Sequence, residues 1–181
     1  MNDESVINRN ICVISDTHFG HLGMCKFLRK DGSKVRPFDD INVMDECMVE
    51  NWNKTVKPKD KIYHLGDVVI NRKHHKVLKK INGEKILIKG NHDIFKLKDY
   101  AEYFKDIRGT HKLDKYYILS HFPVHPECIN DYQWNFHGHI HYKRVINEYD
   151  EIHPKYLNCC VEHWDYKPVS LDEAIKTARS Q

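Results

Sequence analysis

The chain has 181 residues, 40% of them apolar and 30% charged, with a net charge of +3 and a sequence pI of about 8.4. That mild basicity permits anionic substrates without requiring a nucleic-acid partner, and the length fits one domain spanning 1–181. No apolar run reaches a membrane span and Met1-Asn2-Asp3-Glu4-Ser5 lacks the features of a signal peptide, so a cytoplasmic protein with no membrane partner is expected. Six cysteines without a C-x-x-C pair read as reduced, mostly buried thiols. The compositional anomaly is 14 histidines, spread through the chain.

In chain order, residues 1–9 are a polar lead-in. The apolar stretch 10–15 predicts a strand that delivers Asp16 and His18, two apart and hence on one side of an extended segment. An irregular excursion is expected over 24–38. Apolar residues recurring at three and four (Val43, Met44, Cys47, Met48, Trp52) predict a helix over 41–56 that Pro58 stops. A strand over 61–65 brings in Asp67. A helix of about ten residues should follow, burying Val77, Leu78 and Ile81 behind a basic face. The strand 85–89 stops at Gly90, where Asn91 and His92 stand side by side.

A short helix or turn is expected over 99–104, then a hairpin-like series over 107–110, 112–114 and 115–120, ending at Ser120-His121. A strand over 135–137 leads into Gly138-His139-Ile140-His141, with further strands over 142–148 and 156–161. Ser170-Leu171-Asp172-Glu173 has capping-box spacing and starts a last helix with Ala174, Ile175 and Ala178 inward. The pattern suggests a layered α/β fold whose second sheet is mainly antiparallel.

Five apolar runs thus end in metal-competent side chains, which argues for strand ends converging on one crevice. The set is Asp16, His18, Asp67, Asn91, His121, His139 and His141: two carboxylates, one carboxamide and four imidazoles. That is too many ligands for a tetrahedral zinc, whereas two divalent ions sharing a bridging carboxylate would use them all.

Asp16-Thr17-His18, Gly66-Asp67, Gly90-Asn91-His92-Asp93, Ser120-His121 and Gly138-His139-Ile140-His141 resemble the five ordered motifs of the calcineurin-like metallophosphoesterases. The stretches 15–21 and 158–170 are similar to the small bacterial and bacteriophage members. The resemblance implies a four-layer αββα sandwich, two mixed β-sheets flanked by helices, with a metal pair at the strand ends. It assigns Asp16, His18 and His141 to one metal, Asn91, His121 and His139 to the other, and Asp67 to the bridge. His92 would contact the phosphate and protonate or stabilise the leaving oxygen, and His21 is a candidate substrate contact beside Asn91 and His92. The implied reaction is hydrolysis of a small phosphodiester or nucleotide by direct attack of a metal-bound hydroxide. The alternatives are a phosphomonoesterase on a small metabolite and a catalytically silent scaffold of the same fold. Mn²⁺ is the first choice of metal, with Fe²⁺, Ni²⁺ and Zn²⁺ compatible.

The residues after Asp67 lack the tyrosine of purple acid phosphatases and the acidic residue and arginine of protein phosphatases. His64 and His137 precede motifs within strands, so the pleat should turn them away from the site. Asp93, His125 and His163 are candidates to orient ligand imidazoles, and Arg72 and Arg144 are candidate phosphate contacts.

Overall fold

The computed structural model describes residues 10–180. The polar lead-in over residues 1–9 lies outside the described residues. β-Branched and apolar runs form β1 (Ile11–Ile14), β2 (Lys61–His64) and β3 (Glu84–Ile88), which pair in parallel with β4 (Asp106–Arg108). β5 (Thr110–Leu113), β6 (Tyr117–Ser120), β7 (Trp134–His137) and β8 (Tyr156–Asn158) make a second sheet. β9 (Val169–Ser170) returns antiparallel to β1, so the first sheet has the order β4-β3-β2-β1-β9.

Pleat alternation assigns each face its core. Val13, Tyr63, Leu65, Ile86 and Ile88 face Leu113, Leu119, Phe136 and Leu157 of the second sheet. The opposite face of the first sheet, with Cys12, Ile14, Ile62 and Leu87, is covered by Met44, Met48 and Trp52 of helix α1 (Ile41–Thr55) and by Tyr100 of α2 (Leu97–Ala101). Those three α1 residues are four apart and share one helix face, while Asp40 caps the helix by accepting the Asn42 and Val43 N–H groups. Helix α3 (Leu171–Arg179) begins as the capping-box spacing predicts, with Ser170 accepting the Glu173 N–H, and sends Ala174 and Ala178 into the core between the sheets. The expected sandwich of two mixed sheets with flanking helices is therefore present. No described helix is long and apolar enough to cross a membrane.

Four local expectations are corrected. The second sheet is mostly parallel: β6–β7 and β7–β8 run parallel and only β5–β6 is antiparallel. The long segments after β6 and β7 allow crossovers, whereas closely spaced apolar runs read as hairpins. The hairpin-like series is divided, because β4 extends the first sheet and β5 begins the second. Residues 142–148 form turns with one isolated bridge, Ile146 to Ile152, instead of a strand. The basic helix is a 3₁₀ run, Arg72–Lys79, burying His75 and Leu78, three apart on one edge.

Because β1, β2 and β3 are parallel, their C-terminal ends lie together, with Ile14, His64 and Leu87 in register. The two sheets are joined at that end. Ser15 N–H donates to the Cys159 carbonyl at 2.8 Å, and Cys159 N–H to the His137 carbonyl at 2.7 Å. This bridge carries the motif after β7 against the motif after β1.

Candidate metal centre

Five of the seven candidate ligands adopt a backbone that side chains normally avoid. Asp16, His18, Asp67, His139 and His141 all have positive φ, between 49° and 70°. That left-handed conformation costs of order 1 kcal/mol or more per residue with a Cβ. Here it folds each strand end back so that successive polar side chains face one crevice. The loops steady one another: His18 N–H donates to the Asp67 carbonyl and Asp16 N–H to the Gly66 carbonyl, each at 3.0 Å. Two motif glycines are required by close approach. A Cβ on Gly90 would overlap the Asp67 carboxylate, and one on Gly138 would overlap Ser15 Oγ and Asp16 Oδ2.

The crevice contains two triads of potential ligand atoms, Asp16–His18–His141 and Asp16–Asp67–His121, each with its atoms within 4.8 Å of one another. Asp67 Oδ2 lies 3.6 Å from His18 Nε2 and 3.4 Å from His121 Nε2, and so faces imidazoles of both triads. Asn91 Oδ1 is 2.8 Å from His121 Nε2. His139 donates its backbone N–H to Asp16 Oδ2 at 2.9 Å and sets its ring 5.2 Å from that of His121. His21 and His92 stand above the crevice, their ring centroids 5.6 and 5.7 Å from that of His18.

Burial opposes ionisation of Asp16, but His18, His121 and His141 outweigh it and hold the carboxyl well below its usual range. Burial likewise opposes the charged forms of His121 and His141, yet their carboxylate neighbours raise both. His18 is lowered by burial, against the pull of Asp16 and Asp67. The donor set fits divalent cations. Asp16 Oδ1 and both ring nitrogens of His18 are buried without a hydrogen-bond partner, an expensive arrangement for polar atoms unless something positive joins them. His121 Nδ1 lies 2.8 Å from the Leu65 carbonyl, which as a donor contact leaves Nε2 free to ligate.

The model of the calcineurin-like phosphoesterase family matches residues 9–167. The chain belongs to that family. Membership makes this calcineurin-like phosphoesterase a metal-dependent phosphoric ester hydrolase. It is 37% identical over 175 residues to an uncharacterized protein of Methanocaldococcus jannaschii, covering 93% of this chain and 90% of that one. A solved protein of unknown function from Aquifex aeolicus superposes with TM-score 0.68 at 28% identity, covering 94% of this chain and all of the other. A solved archaeal phosphodiesterase aligns over 82% of each chain at 20% identity, with TM-score 0.45.

The other residues singled out by sequence make structural contacts. His64 bonds Thr17 Oγ1 and stacks on Trp52, and His137 Nδ1 meets the Gly138 carbonyl, as the pleat predicts. His125 is exposed and caps the 3₁₀ turn Pro126–Ile129. Arg72 pairs with Asp99 at 3.0 Å and lies over Phe95. Arg144 is exposed, and its charge helps to lower the pKa of His163 after burial. His163 reaches the His141 carbonyl at 2.9 Å, and Asp93 holds the backbone amides of Asp67, Val68 and Gly90 instead of a ligand imidazole.

Sequence reasoning missed several supports of the phosphoesterase site. Ser15 Oγ donates to Asp16 Oδ2 at 2.5 Å and Cys160 Sγ to the same oxygen at 3.2 Å. Glu162 lies 3.1 Å from His141 Nδ1, and Arg36 reaches Glu162 from a segment read as irregular. Ser15 adjoins its motif and was legible there. Arg36 and Glu162 are 126 positions apart and carry no spacing signal.

Proposed function

We propose that the chain hydrolyses a phosphodiester, such as a nucleotide or cyclic nucleotide, at a centre for two divalent ions. The two triads sharing Asp16, with unpartnered donor atoms buried inside them, carry this reading. Asp16, His18 and His141 would hold one ion, Asn91, His121 and His139 the other, and Asp67 would bridge. Such ions, when bound, supply Lewis acidity to the phosphoryl oxygens and acidify water. Mn²⁺ suits the mixed carboxylate, carboxamide and imidazole donors, with Fe²⁺, Ni²⁺ and Zn²⁺ compatible.

His92 is exposed at the mouth, where it can bond a phosphoryl oxygen and pass a proton to the leaving oxygen. Burial, then the neighbouring His18 and His92, lower the His21 pKa to about 4, so at neutral pH it meets substrate as a neutral imidazole. A diester is favoured over a monoester by the rim. Phe122 packs on His121 and His139 with 49% of its surface exposed, and Phe27 packs on His21 with 50% exposed. These faces offer apolar contact to a second ester group, which a monoester lacks.

The test begins with elemental analysis of protein purified without chelator, followed by paired aryl diester and monoester substrates with Mn²⁺ on the same sample. Two ions per chain and a diester preference are expected. Monoester preference would reverse the substrate assignment, and inertness towards both classes would favour the scaffold reading.

A further inference from the structure

Arg36 lies between the 3₁₀ turn Leu22–Cys25 and α1, in a segment that sequence marks as a surface excursion, yet its side chain is fully buried. A guanidinium keeps its charge in proteins, so out of water each donor must be directed at an acceptor. Nη1 donates to the Thr17 carbonyl at 2.8 Å, Nη2 to the Asp16 carbonyl at 2.5 Å, and Nε to Glu162 Oε1 at 2.8 Å. That same carboxylate oxygen is 3.1 Å from His141 Nδ1. One cation therefore ties the backbone carrying Asp16 and His18 to the ring of His141, spanning all members of a single triad. Of the other triad, Asp67 and His121 are held elsewhere, Asp67 by the Asp93 carboxylate and His121 by the Leu65 carbonyl, and Asp16 alone is common to both.

We propose that Arg36 and Glu162 form a positioning couple for one of the two cation sites only. Glu162 draws the His141 proton onto Nδ1, so that Nε2 presents its lone pair towards Asp16 Oδ1, 3.9 Å away. Arg36 fixes the carboxylate and, through two carbonyls, the left-handed loop on which Asp16 and His18 sit. Glu162 has a fully buried side chain, and its Oε2 lacks a hydrogen-bond partner among the described residues. Its Oε1 is held by Arg36 Nε and the His141 ring, which concentrates its influence on that ligand. The couple would set the affinity of the Asp16–His18–His141 site independently of the site around Asp67 and His121.

The inference rests on the two-ion reading, and its test separates the two. Metal-free wild type, Glu162→Gln and Arg36→Lys are titrated with Mn²⁺ by calorimetry and electron paramagnetic resonance. Wild type should take up two ions, and each variant should weaken one of them by about 10- to 100-fold while the other keeps its affinity. Equal weakening of both ions, or of neither, overturns the proposal, since a general structural role would move them together. The second readout needs no metal: ¹⁵N chemical shifts of His141 at alkaline pH, where the ring is neutral. Wild type should show the Nδ1–H tautomer and Glu162→Gln a loss of that preference. Failure of wild type to bind Mn²⁺ refutes the two-ion reading, while an Nε2–H tautomer in wild type refutes the couple itself.

Discussion

The backbone N–H of Asp67 donates to the Asp93 carboxylate at 2.9 Å, across 26 positions of sequence. Val68 and Gly90 donate to the same carboxylate at 3.0 and 2.8 Å, and the His92 N–H returns to Asp67 Oδ1 at 2.8 Å. The loops after β2 and β3 are thereby locked together by two carboxylates facing opposite ways. Asp93 holds the backbone, which leaves the other oxygen of Asp67 for the crevice.

Asp93→Asn should break this lock. The substituted amide turns an NH₂ group onto a backbone N–H in a buried site, where a lost charge-assisted bond costs about 2–3 kcal/mol. Urea denaturation of the metal-free protein reads the effect, and an unchanged midpoint would show that Asp93 is dispensable.

Asp67→Ala and His92→Ala should fail differently. Loss of Asp67 removes an oxygen facing both triads, so elemental analysis should show at least one ion fewer per chain and turnover should vanish. Loss of His92, which is outside both triads, should leave the metal content intact and lower kcat by about 10²- to 10⁴-fold. Metal loss in His92→Ala would move that residue from catalysis to ligation.

Gly138→Ala should perturb the site through volume alone, since its Cβ would overlap Asp16 and Ser15. Overpacking of this kind costs about 1–3 kcal/mol. Gly109→Ala is the matched control, because a Cβ there meets nothing within 4 Å. Thermal unfolding and bound metal should both fall in the first variant and stay within error in the second.

His64 should make stability depend on pH. Burial lowers its pKa to about 3 from the usual 6.5, so between those values the unfolded chain binds a proton that the folded chain refuses. Stability from this group is complete above pH 6.5 and declines as pH falls towards 3, by up to about 1.4 kcal/mol per unit. His64→Gln should flatten the dependence in denaturation curves of metal-free protein between pH 7 and 4. An identical slope in the two proteins would assign the acid sensitivity to other groups.

Much of the architecture was legible locally. The runs at β1, β2 and β3 end in polar motifs because a buried strand must stop where the chain turns, and Ser170 announces a helix start through its own hydrogen bond. The 3₁₀ character of Arg72–Lys79 is hidden in the sequence because a few buried residues spaced by three or four do not separate the two helical periods. Strand direction in the second sheet was hidden too, since parallel and antiparallel strands share the same alternation and the crossover is decided by packing.

Sequence alone determined the order of the donors: which carboxylates, imidazoles and carboxamide follow which strands, because that is a property of short segments. Tertiary structure alone decided what steadies them. Asp93 beneath Asp67, and Arg36 between Asp16 and Glu162, act through contacts made only after the two sheets join at Ser15 and Cys159. A buried charge has no local periodicity to betray it, and its role is set by whichever distant acceptors the fold brings within about 3 Å.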